Sequence, residues 1–285
     1  MLGIEAFFDA ATSTASFLVW DAVAKDAAII DAVLDFDPAT GKLGTSSADR
    51  ILQKADELGL KVVWALETHA HADHLSAADH VRKKVGAKIG IGSRITEVQT
   101  RFRVLFGAPE AETEASVFDE LFEDGQTFKI GRTEVRVLHT PGHTPACVTY
   151  VIGDAAFVCV TLFMPDYGTA RADFPGGDAA TLYRSIRKIL SLPPETRIFV
   201  GHDYLPEGRN KPAWETTVAE ERKANIHVHD GVSEEEFVRL RQARDRTLAA
   251  PRLILPSLQV NIRGGALPKP EADGRVYLKT PVTPV

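Results

Sequence analysis

The chain has 285 residues, 44% of them hydrophobic and 25% charged, which is ordinary for a globular protein large enough to bury a core. A net charge of −6 without any block of Lys and Arg argues against nucleic acid as a partner. Two cysteines, Cys147 and Cys159, make no disulfide framework, no apolar run has the length of a membrane span, and the start lacks a signal-peptide pattern. A soluble, cytoplasmic protein is expected.

Short runs rich in β-branched and aromatic residues, Ile4–Phe8, Ser16–Trp20 and Ala27–Ile30, predict an antiparallel start. Ser46 or Ser47 then caps a helix with apolar positions Ile51, Leu52, Ala55 and Leu58, which Gly59 stops. Lys61–Leu66 reads as a short buried strand that runs straight into Glu67-Thr68-His69-Ala70-His71-Ala72-Asp73-His74. Leu75, Ala78, Val81 and Val85 mark the next helix, followed by a strand at Ala87–Ile91 and a helix at Ile95–Phe106. The acidic stretch from Pro109 to Glu123 reads as a surface excursion. Two hairpins follow, turning at Gly131-Arg132 and Gly153-Asp154. Further on come a helix at Ala179–Leu192, a strand at Arg197–Val200, and helices at Ala213–Asn225 and Ser233–Ala249. From Pro251 the tail holds six of the 16 prolines, so residues 251–285 are expected to wrap over the body in extended form. No linker divides the chain, and one domain spanning residues 1–285 is expected.

Three of the nine histidines, His69, His71 and His74, fall within six residues with Asp73 among them. Such a run at the carboxyl end of a strand is expected to bind one or two borderline divalent ions, because imidazole and carboxylate suit Zn, Fe or Mn. The run rarely closes a site alone, and His143 and His202 stand at comparable strand ends, so all six side chains are expected to converge. His139 is a weaker candidate, and His80, His227 and His229 read as structural or solvated.

THAHADH, with the later TPGHT and GHD, resembles the THxHxDH pattern of the metallo-β-lactamase superfamily. MPDYGTARADFPGGD at 164–178, HTPACVTYV at 143–151 and ILPSLQVNIRGG at 254–265 are similar to its persulfide dioxygenase (sulfur dioxygenase) branch. The resemblance implies an α/β (α+β) fold, an αββα sandwich with a metal site at one edge. It further implies one Fe(II) ion, on His69 and His143 and an aspartate, oxidising glutathione persulfide with dioxygen to sulfite. In binuclear hydrolases of the superfamily His69, His71 and His143 would hold one ion, and Asp73, His74 and His202 the other. The aspartate's position is filled here by Val160, which has no lone pair, so activity is expected to be impaired. Cys159 stands where relatives have Gly. Either packing in its strand or ligation through its thiolate fits, packing being the simpler. Arg171 and Asp173 match positions that orient ligands without touching metal, Tyr204 matches a tyrosine facing the thiol, and Arg209, with Lys211 and Arg222, is a candidate for the substrate's carboxylates. The alternatives are a Zn-dependent thioester or acyl hydrolase of glyoxalase II type with one or two ions, and a non-catalytic member that binds metal or thiol. A small thiol or persulfide is the expected partner, with no nucleic acid and no membrane; a homo-oligomer is left open.

Overall fold

The structure is a computed structural model, and it describes residues 2–282. Side-chain alternation along the strands shows how the layers stack. In Thr14–Asp21, Phe17 and Val19 point to one apolar cluster while Leu18 points to another, and in Asp26–Ile30 the pair Ala28 and Ile30 opposes Ala27 and Ile29 in the same way. A strand apolar on both faces must be covered on both. The shared cluster, which also takes in Val135, Val137, Tyr150, Phe157 and Phe199, lies between two six-stranded sheets.

The first sheet begins antiparallel with Leu2–Asp9, Thr14–Asp21 and Asp26–Ile30, then continues parallel through Lys61–Leu66, Lys88–Gly92 and Glu120–Phe122. The second is antiparallel from Thr127–Ile130 to Ala155–Phe157, then adds Arg197–Phe199 in parallel and Glu215–Thr217 in antiparallel pairing. A small sheet of three short strands joins Val33–Asp37 to Lys42–Gly44 and Leu75–Ser76. Helices cover the outer faces. Ile51, Ala55, Val81, Val98, Phe102 and Leu258 pack on the first sheet, and Leu182, Ile186, Val218 and Phe237 on the second. This is the expected αββα arrangement. No helix among the described residues is long and apolar enough to cross a membrane.

Several expectations need correction. Thr45 stands at the N-cap of the helix Ser46–Glu57 and makes no side-chain capping bond there. Leu75–Ser76 is a strand, and the helix after it starts at Ala78. The acidic stretch is not wholly superficial, because Phe118 and Phe122 are buried and Glu120–Phe122 is a sheet edge. Within 213–225, Glu215–Thr217 pairs with Arg197–Phe199, and only Val218–Ala224 is helical. The tail is not extended throughout: Ile254–Asn261 is a helix. Its Pro256 falls in the first turn, where a missing N–H breaks no helical bond.

That helix reaches the histidine run. Asn261 Nδ2 donates to the carbonyls of His71 at 2.8 Å and His74 at 2.9 Å, and its Oδ1 accepts from Ser76 N at 2.7 Å. Replacing it with Ala would leave buried backbone groups without partners. At about 1–3 kcal/mol for each of the three stranded groups, Asn261→Ala should lower stability by roughly 3 kcal/mol or more. Equilibrium denaturation checks this, and an unchanged midpoint would mean that the tail does not hold the run.

Candidate metal centre

The strand Lys61–Leu66 lies beside Asp26–Ile30, so Asp31 emerges next to the histidine run. Asp31 has φ 53°, a conformation uncommon outside glycine. Its carboxylate accepts from Thr68 N at 2.8 Å, Thr68 Oγ1 at 2.7 Å and His71 Nε2 at 3.0 Å, and Glu67 Oε2 lies 3.2 Å from the same nitrogen. Burial alone would push the His71 pKa down, yet Asp31 and Glu67 hold it well above the usual value. With Nε2 engaged by acids, Nδ1 of His71 is buried and has no partner, and it would serve as a donor by giving up its proton to solvent when an ion binds.

His74 and His202 repeat the pattern. Nδ1 of His74 donates to the Leu75 carbonyl at 3.1 Å and Nδ1 of His202 to the Ser13 carbonyl at 3.2 Å, while each Nε2 is buried without a hydrogen bond. Asp73 Oδ2 lies 2.9 Å from His202 Nε2, although the ring N–H is not aligned to donate. Ligand atoms of His71, Asp73, His74 and His202 all lie within 4.8 Å of one another. Burial drives His74 down to about 3, so it is neutral at physiological pH with a lone pair to offer. Burial would raise Asp73, but His202 and His74 hold its carboxyl well below the usual range. Histidines fixed through one nitrogen, with the other aimed at a carboxylate, are what a divalent ion requires.

His69 and His143 complete the group from the cavity side. Ring centroids run 4.1 Å from His69 to His71, 4.0 Å from His71 to His74, 6.0 Å from His74 to His202 and 5.3 Å from His69 to His143. The chain thus brings all six residues of the sequence constellation together. His143 follows Gly142, whose φ is 131° and where an added Cβ would stand 2.3 Å from Leu182 N, so the turn that presents His143 needs glycine. His143 Nδ1 donates to the backbone carbonyl of Arg171 at 2.8 Å. The Arg171 guanidinium instead bonds Asp173 and the Ala249 carbonyl, so its main chain is what orients the histidine.

A cavity of about 480 Å³ opens on His69, Asp73, His143, Val160 and Tyr204. Val160 presents only methyl groups there and is 5% exposed. Tyr204 stacks on His202, with centroids 5.7 Å apart and planes 9° from parallel. Arg209 requires correction. Its guanidinium is held at 2.6 Å by Asp203 and at 2.6 Å by Asp166, it does not line the cavity, and it fastens a loop instead of facing substrate. Asp166 is likewise spent on that pair. Four arginines line the cavity: Arg171 is paired with Asp173 and Arg241 with Asp245, whereas Arg244 and Arg252 make no ion pair or side-chain hydrogen bond among the described residues. His80 pairs with Asp49 at 2.8 Å and His227 accepts from Thr169 N at 3.1 Å, both as structural groups. His139 and His229 also lie away from the cavity.

Sequence reasoning missed Asp31, Glu67 and Asn261. Their partners lie four to 190 positions away, a separation that leaves no periodic signal in the sequence.

A family model described as "Metallo-beta-lactamase superfamily" matches residues 10–202. The "Probable metallo-hydrolase" of Burkholderia pseudomallei is 52% identical, covering 98% of both chains. "Glyoxylase B2" of Dictyostelium discoideum is 45% identical over 98% of this chain and 96% of its own, and the mitochondrial "Persulfide dioxygenase ETHE1" of Homo sapiens 30% identical over 90% and 87%. Against the "Beta-lactamase hydrolase-like protein" of Agrobacterium fabrum, 55% identical, the chain spans only 64% of the relative's length. Among solved structures, ETHE1 from Myxococcus xanthus superposes with a TM-score of 0.75 at 30% identity, covering 93% of this chain and 100% of that one. The histidine pattern, the two-sheet sandwich and the match over residues 10–202 agree: this chain belongs to the metallo-β-lactamase superfamily, with the ETHE1 persulfide dioxygenases as distant homologues.

Proposed function

We propose that the chain is a metal-dependent enzyme acting on a small thiol-derived substrate, and that its reaction is of the persulfide dioxygenase type, turning a persulfide, dioxygen and water into sulfite and the free thiol. The observation that carries the metal is the set of three buried, unpartnered ring nitrogens of His71, His74 and His202 around the Asp73 carboxylate. Asp73, His74 and His202 alone make two histidines and one carboxylate, the donor set suited to Fe(II) oxygenases, whereas the His69 and His143 set that the resemblance implies lacks its carboxylate at Val160. When bound, such an ion supplies open positions for a sulfur ligand and for dioxygen.

The chain's own residues supply the rest. Asp31 and Glu67 fix the orientation of His71, and the Arg171 carbonyl fixes that of His143. Val160, Phe163 and Leu253 give one side of the cavity an apolar wall that favours a persulfide over water. Arg244 and Arg252 offer unspent cations for substrate carboxylates, in the role expected of Arg209. The names of the human and Dictyostelium relatives support a thiol-linked substrate.

A second reading, Zn-dependent thioester hydrolysis, is favoured by one observation: His71 adds a fourth donor to Asp73, His74 and His202, and three imidazoles with a carboxylate suit zinc. Glutathione persulfide separates the two. Oxygen uptake with stoichiometric sulfite is the expected result in the iron-loaded protein, whereas hydrolysis of a glutathione thioester with no oxygen uptake would install the hydrolase reading.

A further inference from the structure

Beside His69 stand two thiols that do not line the cavity and that the family site does not use. Cys159 Sγ lies 2.9 Å from His69 Nδ1, and Cys147 Sγ lies 3.1 Å from Thr144 Oγ1. Both thiols are buried, and the sulfurs and Nδ1 all lie within 4.8 Å of one another. Cys159 also holds φ 60°, a left-handed conformation that costs a side-chain-bearing residue on the order of 1 kcal/mol or more. A glycine would adopt that backbone freely, so what the strained residue adds is a sulfur aimed at His69.

We propose that Cys147, Cys159 and His69 Nδ1 form a second, thiolate-rich metal site whose occupant is Cu(I), a soft ion satisfied by three ligands. Thiolates select soft d10 ions over the borderline ions favoured by the imidazole and carboxylate set. Zinc prefers a fourth donor; the groups bonded to the cluster are the hydroxyls of Thr68 and Thr144, and the nearby Asp31 carboxylate is already held by Thr68 and His71. Binding replaces two S–H bonds with two copper–sulfur bonds and releases two protons, with no change in oxidation state. His69 then offers Nδ1 as its lone-pair nitrogen, so its proton must lie on Nε2. The two cysteines approach from different strand ends, Cys147 entering the strand Val148–Ile152 and Cys159 leaving Ala155–Phe157, so the fold preorganises the sulfurs before any ion arrives.

The test uses the whole chain, stripped of metal and titrated anaerobically with Cu(I) against a chromogenic Cu(I) chelator, with a parallel Zn(II) titration. One equivalent of copper should bind, and its X-ray absorption should show two sulfur neighbours. In Cys159→Gly affinity should fall by more than about 100-fold, beyond the roughly 10–100-fold typical of losing a group that only orients a ligand. That variant should fold at least as well as the parent, since glycine relieves φ 60°, and thermal unfolding verifies it. His74→Ala, outside the cluster, should keep both copper–sulfur contacts. Copper bound without sulfur, zinc displacing copper from the two sulfurs, or an unchanged affinity in folded Cys159→Gly would each overturn the proposal.

Discussion

Asp73→Ala should abolish stoichiometric binding of the catalytic ion, with a loss in affinity and turnover of more than about 100-fold, above the roughly 10–100-fold seen when only an orienting partner is removed. The argument is electrostatic. Among His71, Asp73, His74 and His202, Asp73 is the sole anion, and it sits 2.9 Å from His202 Nε2. His202 and His74 hold its carboxyl well below the usual range despite burial, so it is ionised at neutral pH and opposes part of the ion's double charge. Alanine leaves imidazoles alone to neutralise that charge in a site of low dielectric. Elemental analysis of parent and variant, purified identically, gives the answer. The metal-free variant should melt below the parent, because a carboxyl held well below its usual range stabilises the folded chain at neutral pH, and elemental analysis reads the loss of metal separately from that shift. Full metal content in Asp73→Ala would remove this residue from the ligand set.

Much of this centre is written locally. The alternation of His69 and His71 at a strand end, and the turn from Asp73 into His74, put four donors within six residues, and such spacing survives without knowledge of the fold. His143 and His202 are also legible, because both stand at strand–loop junctions, the same context as the first cluster. What binds these histidines from behind is not. Asp31 meets His71 because Asp26–Ile30 and Lys61–Leu66 pair in parallel, a long-range pairing that no nearby motif announces. Arg209 failed for the opposite reason. Its charge suggested a substrate, yet two aspartates hold it, and a cation's partners are a property of the folded neighbourhood.

Fold legibility followed the same division. A buried apolar run and a helix of marked apolar period match their observed limits, as Lys61–Leu66 and Ile95–Phe106 show. The two- and three-residue strands Leu75–Ser76 and Glu215–Thr217 do not, since so short a strand carries no period and exists because a partner edge is waiting for it. Proline counting misled at the tail. It registers that a long helix is excluded, but an eight-residue helix with Pro256 in its first turn is compatible with it, and that helix delivers Asn261 to the metal centre.

Val160→Asp should raise iron occupancy and oxygen uptake with glutathione persulfide. Val160 lines the same cavity as His69, His143 and Asp73, and it stands where the resemblance calls for a ligand carboxylate. At a separation of about 4 Å and an effective dielectric of about 20, unit charges interact by about 4 kcal/mol, and an ion of double charge gains more. After the cost of desolvating the new carboxylate, a tenfold or larger gain in affinity is the expected size. The sign for the empty protein is opposite. The introduced carboxylate would face the ionised Asp73 in a nearly buried site, so the metal-free variant should melt below the parent. Adding Fe(II) should reverse that order, because an ion that binds only the folded chain stabilises it in proportion to its affinity. Melting curves of both proteins, with and without Fe(II), therefore test the assignment independently of turnover. A variant that melts lower in both conditions, with no gain in iron or sulfite, would mean that position 160 does not face the ion.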